Sequence, residues 1–370
     1  MLIPKLLNPP LDPSSGVLIY GAGKTGRFVL EECRKIGIPI VAVMDRNPTE
    51  FSDGTTFYQY PFYPKELRNH PVIVAIHGEL LNAWAQLREA GFPLLYTMSQ
   101  FYLFAWHNYH YVLPNYCCPG STQDNLTEMD SYQQEISAAY NLLEDNISRT
   151  NFHNQIYYRR TGNVQYIQEP DPGLQYYSDN RPFHIQRPIN FVDCGAFTGD
   201  TLQELAAVLE FESITAFEPD PEVFQILRKY LAKNRLSDRI ITIPGGVGNH
   251  NEVLSFHSSQ DGGATFGHGE LKVPVFALDS LLCSCRVDFI KMDIEGSEAE
   301  ALHGAQDIIH RESPILAISV YHKPADLWKI PLLIKQIYPA SHLFLRSHHG
   351  SYHDTVCYAV PDRFLRTQLQ

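Results

Sequence analysis

The chain has 370 residues, 44% of them apolar, enough for two or three domains with buried cores. Against 29 Lys and Arg stand 41 Asp and Glu, a net charge of −12, so the basic surface that a phosphate backbone requires is lacking and nucleic acid is excluded as a partner. The proline-broken start does not read as a signal peptide, no apolar run reaches membrane-spanning length, and the seven cysteines lack zinc or disulfide spacing, which together predict a cytoplasmic protein with reduced thiols and no membrane partner.

After a proline-rich lead-in, strands and helices alternate. Gly16–Tyr20, Ile38–Asp45, Val72–Ile76 and Leu94–Tyr96 read as strands, with helices at Arg27–Ile36 and up to Ala90. This is a parallel βαβ layout over residues 1–100. Within it, Gly21-Ala-Gly23-Lys-Thr-Gly26 follows a strand and opens a helix. Gly21 permits the tight turn, Gly23 lets backbone approach a phosphate, and Gly26 allows helix and strand to pack closely. Asp45, 22 residues beyond Gly23 at the end of the next strand, suits a ribose diol. The unit stops after four strands and shows no nicotinamide half, so nucleotide or sugar-nucleotide binding is expected before redox chemistry. An NAD(P)-dependent oxidoreductase built on these residues is the alternative from another class.

From 101 to 188 the alternation lapses into a helical and irregular connector. Met129, Gln133, Ile136, Tyr140, Leu143 and Ile147 recur at spacings of three and four, predicting one amphipathic helix capped by Thr127. The tyrosine-rich stretch from Tyr157 to Tyr177 reads as irregular, and Tyr176 and Tyr177 are candidates to stack on a sugar ring.

A longer α/β series fills 189–370. Strands are expected at Ile189–Cys194, Ser213–Phe217, Arg239–Ile243, Asp288–Met292, Ile315–Tyr321, His342–Ser347 and Thr355–Val360, with helices at Thr201–Glu210, Pro221–Leu231, Glu298–Ile309 and Ala325–Ile337. A hairpin joins the last two strands, so the sheet is parallel but for one antiparallel strand. The first strand runs into Asp193-Cys194-Gly195 and a loop closing at Gly199-Asp200-Thr201. Such a loop leaves room for the amino-acid end of a ligand, with Asp193 near its ammonium. The second strand ends in Phe217-Glu218-Pro219, and an acid 25 residues beyond Asp193 accepts hydrogen bonds from both ribose hydroxyls. These are the two handles that S-adenosylmethionine needs, and Gly246 and Val247 suit a floor under its adenine. The fourth strand carries Lys291, Asp293 and Glu295 at its carboxyl end, where open α/β sheets place ligands, and His322 follows the fifth.

The strings Phe191–Thr201, Phe217-Glu218-Pro219 and Ile290-Lys-Met-Asp-Ile-Glu-Gly296, with Leu302-x-Gly304-Ala305, resemble the FkbM family of methyltransferases. The resemblance covers about 189–361 and implies a seven-strand methyltransferase fold, S-adenosylmethionine as cofactor, and O-methylation of a saccharide or natural-product hydroxyl. For such chemistry Asp293, Glu295 and His322 are base candidates, Asp293 and Glu295 also candidates to hold Mg²⁺, and Lys291 a further catalytic candidate. His348 and His349, in the last hairpin loop, are tentative substrate contacts. A small molecule or saccharide is the expected partner, self-association stays open, and a non-catalytic cofactor-binding protein is the remaining alternative.

Overall fold

The computed structural model describes residues 3–5, 8–76, 79–111, 129–167, 169–233, 239–258, 265–267, 269–348 and 354–366. Two compact units form, one from Met1–Ser137 with Asn151–Pro170, the other from Ala138–Thr150, Asp171–His348 and His353–Gln370.

In the first unit, β1 (Val17–Tyr20), α1 (Lys24–Lys35), β2 (Ile40–Asp45), β3 (Phe57–Gln59), β4 (Val72–Val74), α2 (Leu80–Glu89), β5 (Leu95–Thr97) and α3 (Met98–Tyr109) follow in order. The sheet is parallel, ordered β3-β2-β1-β4-β5. Five strands are present where four are expected, the extra one being the short edge strand β3. Val17 and Ile19 face one buried cluster and Leu18 and Tyr20 the other, so both faces of β1 are covered, as its continuous apolar run requires.

The stretch 101–188 divides between the units. Phe101, Tyr102 and Phe104 of α3 lie in the core of the first, whereas Tyr176 and Phe183 lie in the core of the second. The single amphipathic helix expected over 129–147 is two, α4 (Gln133–Leu142) and α5 (Asn146–Thr161), and α5 also takes up the start of the tyrosine-rich stretch read as irregular. The break has a local cause: Asp145 Oδ1 accepts the Ser148 amide at 2.8 Å, which starts a new helix. The Thr127 cap lies outside the described residues.

The second unit begins with a short ribbon, β6 (Gly173–Leu174) and β7 (Tyr177–Ser178), then β8 (Ile189–Cys194), α6 (Asp200–Ala206), β9 (Phe211–Phe217), α7 (Pro221–Lys233) and β10 (Ile240–Ile243). Strands β11 (Gly246–Val247), β12 (Glu252–His257), β13 (Thr265–Phe266) and β14 (Leu271–Phe276) make a separate four-stranded sheet. The chain continues through α8 (Leu278–Leu281), β15 (Phe289–Met292), α9 (Glu298–His303), α10 (Gln306–Glu312), β16 (Ile315–Ser319), α11 (Asp326–Ile337), β17 (His342–Ser347) and β18 (Thr355–Val360). The helix expected over Glu298–Ile309 is thus split, with Gly304 and Ala305 at the break.

The main sheet is ordered β10-β9-β8-β15-β16-β18-β17. Only β18 runs antiparallel, and it is inserted between β16 and β17 rather than lying at the edge. The order reverses between β8 and β15, so the carboxyl ends of these two strands flank the crevice where ligands of open α/β sheets bind. No helix among the described residues is long and apolar enough to cross a membrane.

Candidate active site

A cavity of about 260 Å³ opens at that switch point. One end is built from the β8 loop and the end of β9. The loop turns sharply because Gly195 adopts φ +84°, and a Cβ there would sit 2.0 Å from the Asp293 carbonyl oxygen. Glu218 follows β9. Its Oε2 accepts the Phe197 amide at 2.9 Å and its Oε1 the Asp220 amide at 2.8 Å, so the acid is clamped against the glycine loop. Burial pushes Glu218 up to about 7, the two amides offsetting only part of that penalty.

Gly195, Thr201, Glu218, Pro219, Gly246 and Val247 all line the cavity. Phe256 and Phe266, from the small sheet, line it too and escaped the sequence reading.

Asp193, Cys194 and Gly199 are not on the wall. Asp193 is expected beside a ligand ammonium, but in the structure it is 0% exposed and its Oδ1 lies 3.0 Å from Lys291 Nζ. The register explains the change: Lys291 and Asp193 are paired neighbours on parallel β15 and β8, so both side chains leave the same face of the sheet. A buried ammonium requires a carboxylate partner, and Asp193 is the nearest. Lys291 also donates to the Gly195 carbonyl at 2.6 Å. Burial lowers the Lys291 pKa but the charges of Asp193 and Asp293 outweigh it, keeping the side chain cationic. Cys194 is buried, and Gly199 caps α6 in a left-handed conformation. These residues form the frame of the loop.

The other end of the cavity carries Lys291, Asp293 and Glu295. Asp293 is the hub. Tyr176 Oη donates to its Oδ2 at 2.9 Å, Tyr321 Oη donates to its Oδ1 at 3.0 Å, and His322 Nε2 lies 3.3 Å from Oδ1. Burial alone would raise Asp293, yet Lys291, His322 and the Tyr176 hydroxyl hold it below the usual carboxylate range. His322 stands behind the wall. Its Nδ1 meets Glu298 Oε1 at 2.8 Å, and Glu295 Oε2 is 3.6 Å from its Nε2. Burial disfavours the imidazolium, but Glu298, Asp293 and Glu295 raise His322 to about 10. Glu295 is pushed up to about 7 by burial against the pull of His322.

Tyr321 and Glu298 are site residues that sequence reasoning missed, although Glu298 opens the acid-rich helix that follows Gly296. Among the described residues, six non-glycine residues have left-handed backbone, and Tyr176, Phe197, Glu295 and Asp354 of these belong to the cavity or touch Asp293. Strain of this kind concentrates where a site dictates direction.

The remaining substrate candidates are placed elsewhere. Tyr176 is buried behind Asp293 rather than offered to a sugar. Tyr177 packs on Phe183 beneath the Arg181 guanidinium, which is 3.9 Å from its ring centre. His348 is buried, its Nε2 2.9 Å from Tyr358 Oη, and His349 lies outside the described residues.

In the first unit, a Cβ on Gly26 would sit 1.8 Å from the Gly21 carbonyl oxygen, whereas one on Gly23 would meet nothing within 4 Å. Asp45 Oδ2 accepts the Ala22 amide at 2.7 Å and its Oδ1 the Asn47 amide at 2.9 Å. Asp45 and Glu218 therefore make the same two bonds, one to the glycine loop and one to the residue two places on.

The strand order, with the cavity at its reversal, is that of a methyltransferase fold. Residues 193–351 match the family model of the methyltransferase FkbM domain. The fold is similar to the crystal structure of a methyltransferase FkbM from Methylobacillus flagellatus KT, with a TM-score of 0.73 at 21% identity over 93% of this chain and 89% of that one. A putative rRNA-methylase from Clostridium thermocellum matches with a TM-score of 0.33 at 14% identity over 48% of this chain and 89% of its own. Aeropyrum pernix fibrillarin in complex with natively bound S-adenosyl-L-methionine matches at 0.31 and 12%, over 47% of this chain and 67% of its own. No curated protein matches the chain.

Proposed function

We propose that the protein transfers the methyl group of S-adenosylmethionine to a hydroxyl of a saccharide, sugar nucleotide or related natural product. The observation that carries this reading is that one cavity joins Glu218, a clamped carboxylate suited to a ribose diol, to the Asp293–Glu295 end, where an acceptor hydroxyl meets acids. Residues 195–201 and 245–247 would hold the cofactor, whose sulfonium supplies an electrophilic methyl.

The chain's own groups do the rest. The acceptor oxygen must sit about 3 Å from the methyl carbon and in line with the bond that breaks, which is a matter of placement. As the new C–O bond forms and C–S breaks, the hydroxyl proton must leave. The Asp293, Glu295 and His322 group stands where that proton departs. Asp293 and Glu295 both line the cavity, and Glu295, with 38% of its side chain exposed and pushed up to about 7 by burial, is the more open of the two. Asp293, already holding two tyrosine hydroxyls, orients the group.

For the first unit, the bonding shared by Asp45 and Glu218 favours a nucleoside ligand, such as the nucleotide of an activated sugar. A metabolite extract incubated with the protein and deuteromethyl-labelled cofactor tests the main reading. A product three mass units heavier on oxygen than its unlabelled methylated form is expected. Label on nitrogen or carbon, or none where S-adenosylhomocysteine binds tightly, counts against it.

A further inference from the structure

We infer that a second cavity, at the opposite end of the main sheet from the catalytic crevice, is a binding site for a diphosphate group, built by Arg187, Arg363 and Arg366.

The cavity has a volume of about 520 Å³ and is lined by these three arginines with His184, Gln186 and the Phe364 ring, and no acid is among its described lining residues. Topology explains the grouping. Arg187 stands two residues before β8, and Arg363 and Arg366 follow β18, which runs antiparallel to β16 and therefore ends beside the strand starts. The His184 amide donates to the Phe364 carbonyl at 2.8 Å and the Arg366 amide to the Pro182 carbonyl at 3.0 Å, so the two segments lie side by side. Strand β8 has six residues, about 20 Å of extended chain, which separates this cavity from the crevice at the other end.

The charge is the reverse of the molecule's own. In a chain of net charge −12, three guanidinium groups line one cavity. The carboxylate shared among the local arginines is Asp288, 1% exposed, which lies 2.7 Å from Arg187, 3.5 Å from Arg286 and 4.0 Å from Arg363. One negative charge thus faces three positive ones. The acids beside Arg363 in the chain and in space have cations of their own, Asp362 meeting His342 at 2.9 Å and Glu312 meeting Arg311 at 2.8 Å. Positive charge is left over at the cavity, and an anion is its natural occupant.

The guanidinium groups are also aimed in advance. Arg363 Nη2 donates to the Glu312 carbonyl at 2.7 Å and Arg366 Nη1 to the Asp179 carbonyl at 2.8 Å, contacts that fix direction without cancelling charge. Arg187 and Arg363 stand 5.9 and 4.8 Å from the centre of the Phe364 ring, which holds both against one buried surface. Each guanidinium carries more N–H donors than these contacts use, and the Arg187 and Arg363 side chains are 39% and 45% exposed, open to a ligand. Planar forks of this kind take phosphoryl oxygens in pairs. Three of them match the charge of a diphosphate better than that of a monoanion. The site does not depend on the methyl-transfer reading.

The test titrates the full chain with sodium pyrophosphate by calorimetry, with sulfate and ADP in parallel. Pyrophosphate is expected to bind at least about tenfold more tightly than sulfate. Arg363→Gln and Arg366→Gln, both at exposed positions, should each weaken it about ten- to a hundredfold, because each removes hydrogen bonds from a charged donor. Arg228→Gln, at an exposed position of α7 outside the cavity, should leave it unchanged. S-adenosylhomocysteine affinity, level in all three variants, certifies the fold and separates this site from the cofactor cavity; should one cavity variant fail that check, the other decides. ADP weakened by the same factor as pyrophosphate assigns the diphosphate to a nucleotide, and ADP indifferent to both variants assigns it to a carrier without a nucleoside. Pyrophosphate that does not bind, that binds no better than sulfate, that ignores both cavity variants or that weakens equally in Arg228→Gln overturns the proposal.

Discussion

Lys291 Nζ lies 3.0 Å from Asp193 Oδ1 and 2.6 Å from the Gly195 carbonyl, so a single ammonium ties β15 to β8 and to the loop that shapes the cavity. Lys291→Met leaves the Asp193 carboxylate buried without a partner and should cost about 3–5 kcal/mol in urea unfolding. The Lys291→Met/Asp193→Leu pair should recover most of the loss, because a buried ion pair replaced whole by apolar groups is close to neutral. If the single variant is as stable as wild type, the ion pair does not brace the loop.

Glu218 makes cofactor affinity depend on pH. Burial raises it to about 7, and the form that accepts both ribose hydroxyls is the carboxylate. Binding therefore requires the deprotonated side chain. S-adenosylhomocysteine affinity should be level above pH 8 and fall about tenfold for each unit below 7, because the protonated fraction grows by that factor. Calorimetry at pH 6, 7 and 8 measures the slope, and Glu218→Gln should bind weakly with none. A wild-type affinity flat across this range removes Glu218 from the ribose.

Tyr321→Phe deletes the hydroxyl that donates to Asp293 Oδ1. A hydrogen bond to a charged group contributes about 1.5–3 kcal/mol, so turnover with labelled cofactor should drop about ten- to a hundredfold. Cofactor affinity should hold, since Tyr321 is not on the cavity wall. A matching loss of both would mark Tyr321 as structural.

Gly195→Ala tests the close approach of the glycine loop to β15. The new Cβ would meet the Asp293 carbonyl at 2.0 Å and would also hold an alanine at φ +84°. Left-handed strain alone costs about 1–3 kcal/mol, or a fall in melting temperature of about 2–10 °C, and the displaced Asp293 should take turnover with it. Wild-type melting and activity together would show that the loop relaxes freely.

Much of this site is written in short strings. Gly195, Thr201, Glu218, Pro219, Asp293 and Glu295 were legible because each sits in a local pattern that backbone chemistry demands: a turn too tight for a side chain, an acid at the end of a strand. All six line the cavity. Tyr321, Glu298 and the true partner of Asp193 were not legible in this way. Tyr176 reaches Asp293 across 117 residues, and nothing local to a tyrosine-rich stretch distinguishes a hydroxyl that holds a carboxylate from one that packs. The break at Asp145 shows the same limit on a smaller scale, since apolar spacing runs through the cap that interrupts the helix.

From the order of residues alone came two α/β series, the glycine turns, and acids at the ends of particular strands, because periodicity and turn chemistry act over a few neighbours. Only the folded chain decided which charges face each other: that Lys291 satisfies Asp193, that Glu298 meets His322 Nδ1, and that His322 Nε2 lies 3.3 Å from Asp293. Those pairings follow from strand register and sheet order, which bring together side chains far apart along the chain, and a buried charge takes the partner that geometry supplies.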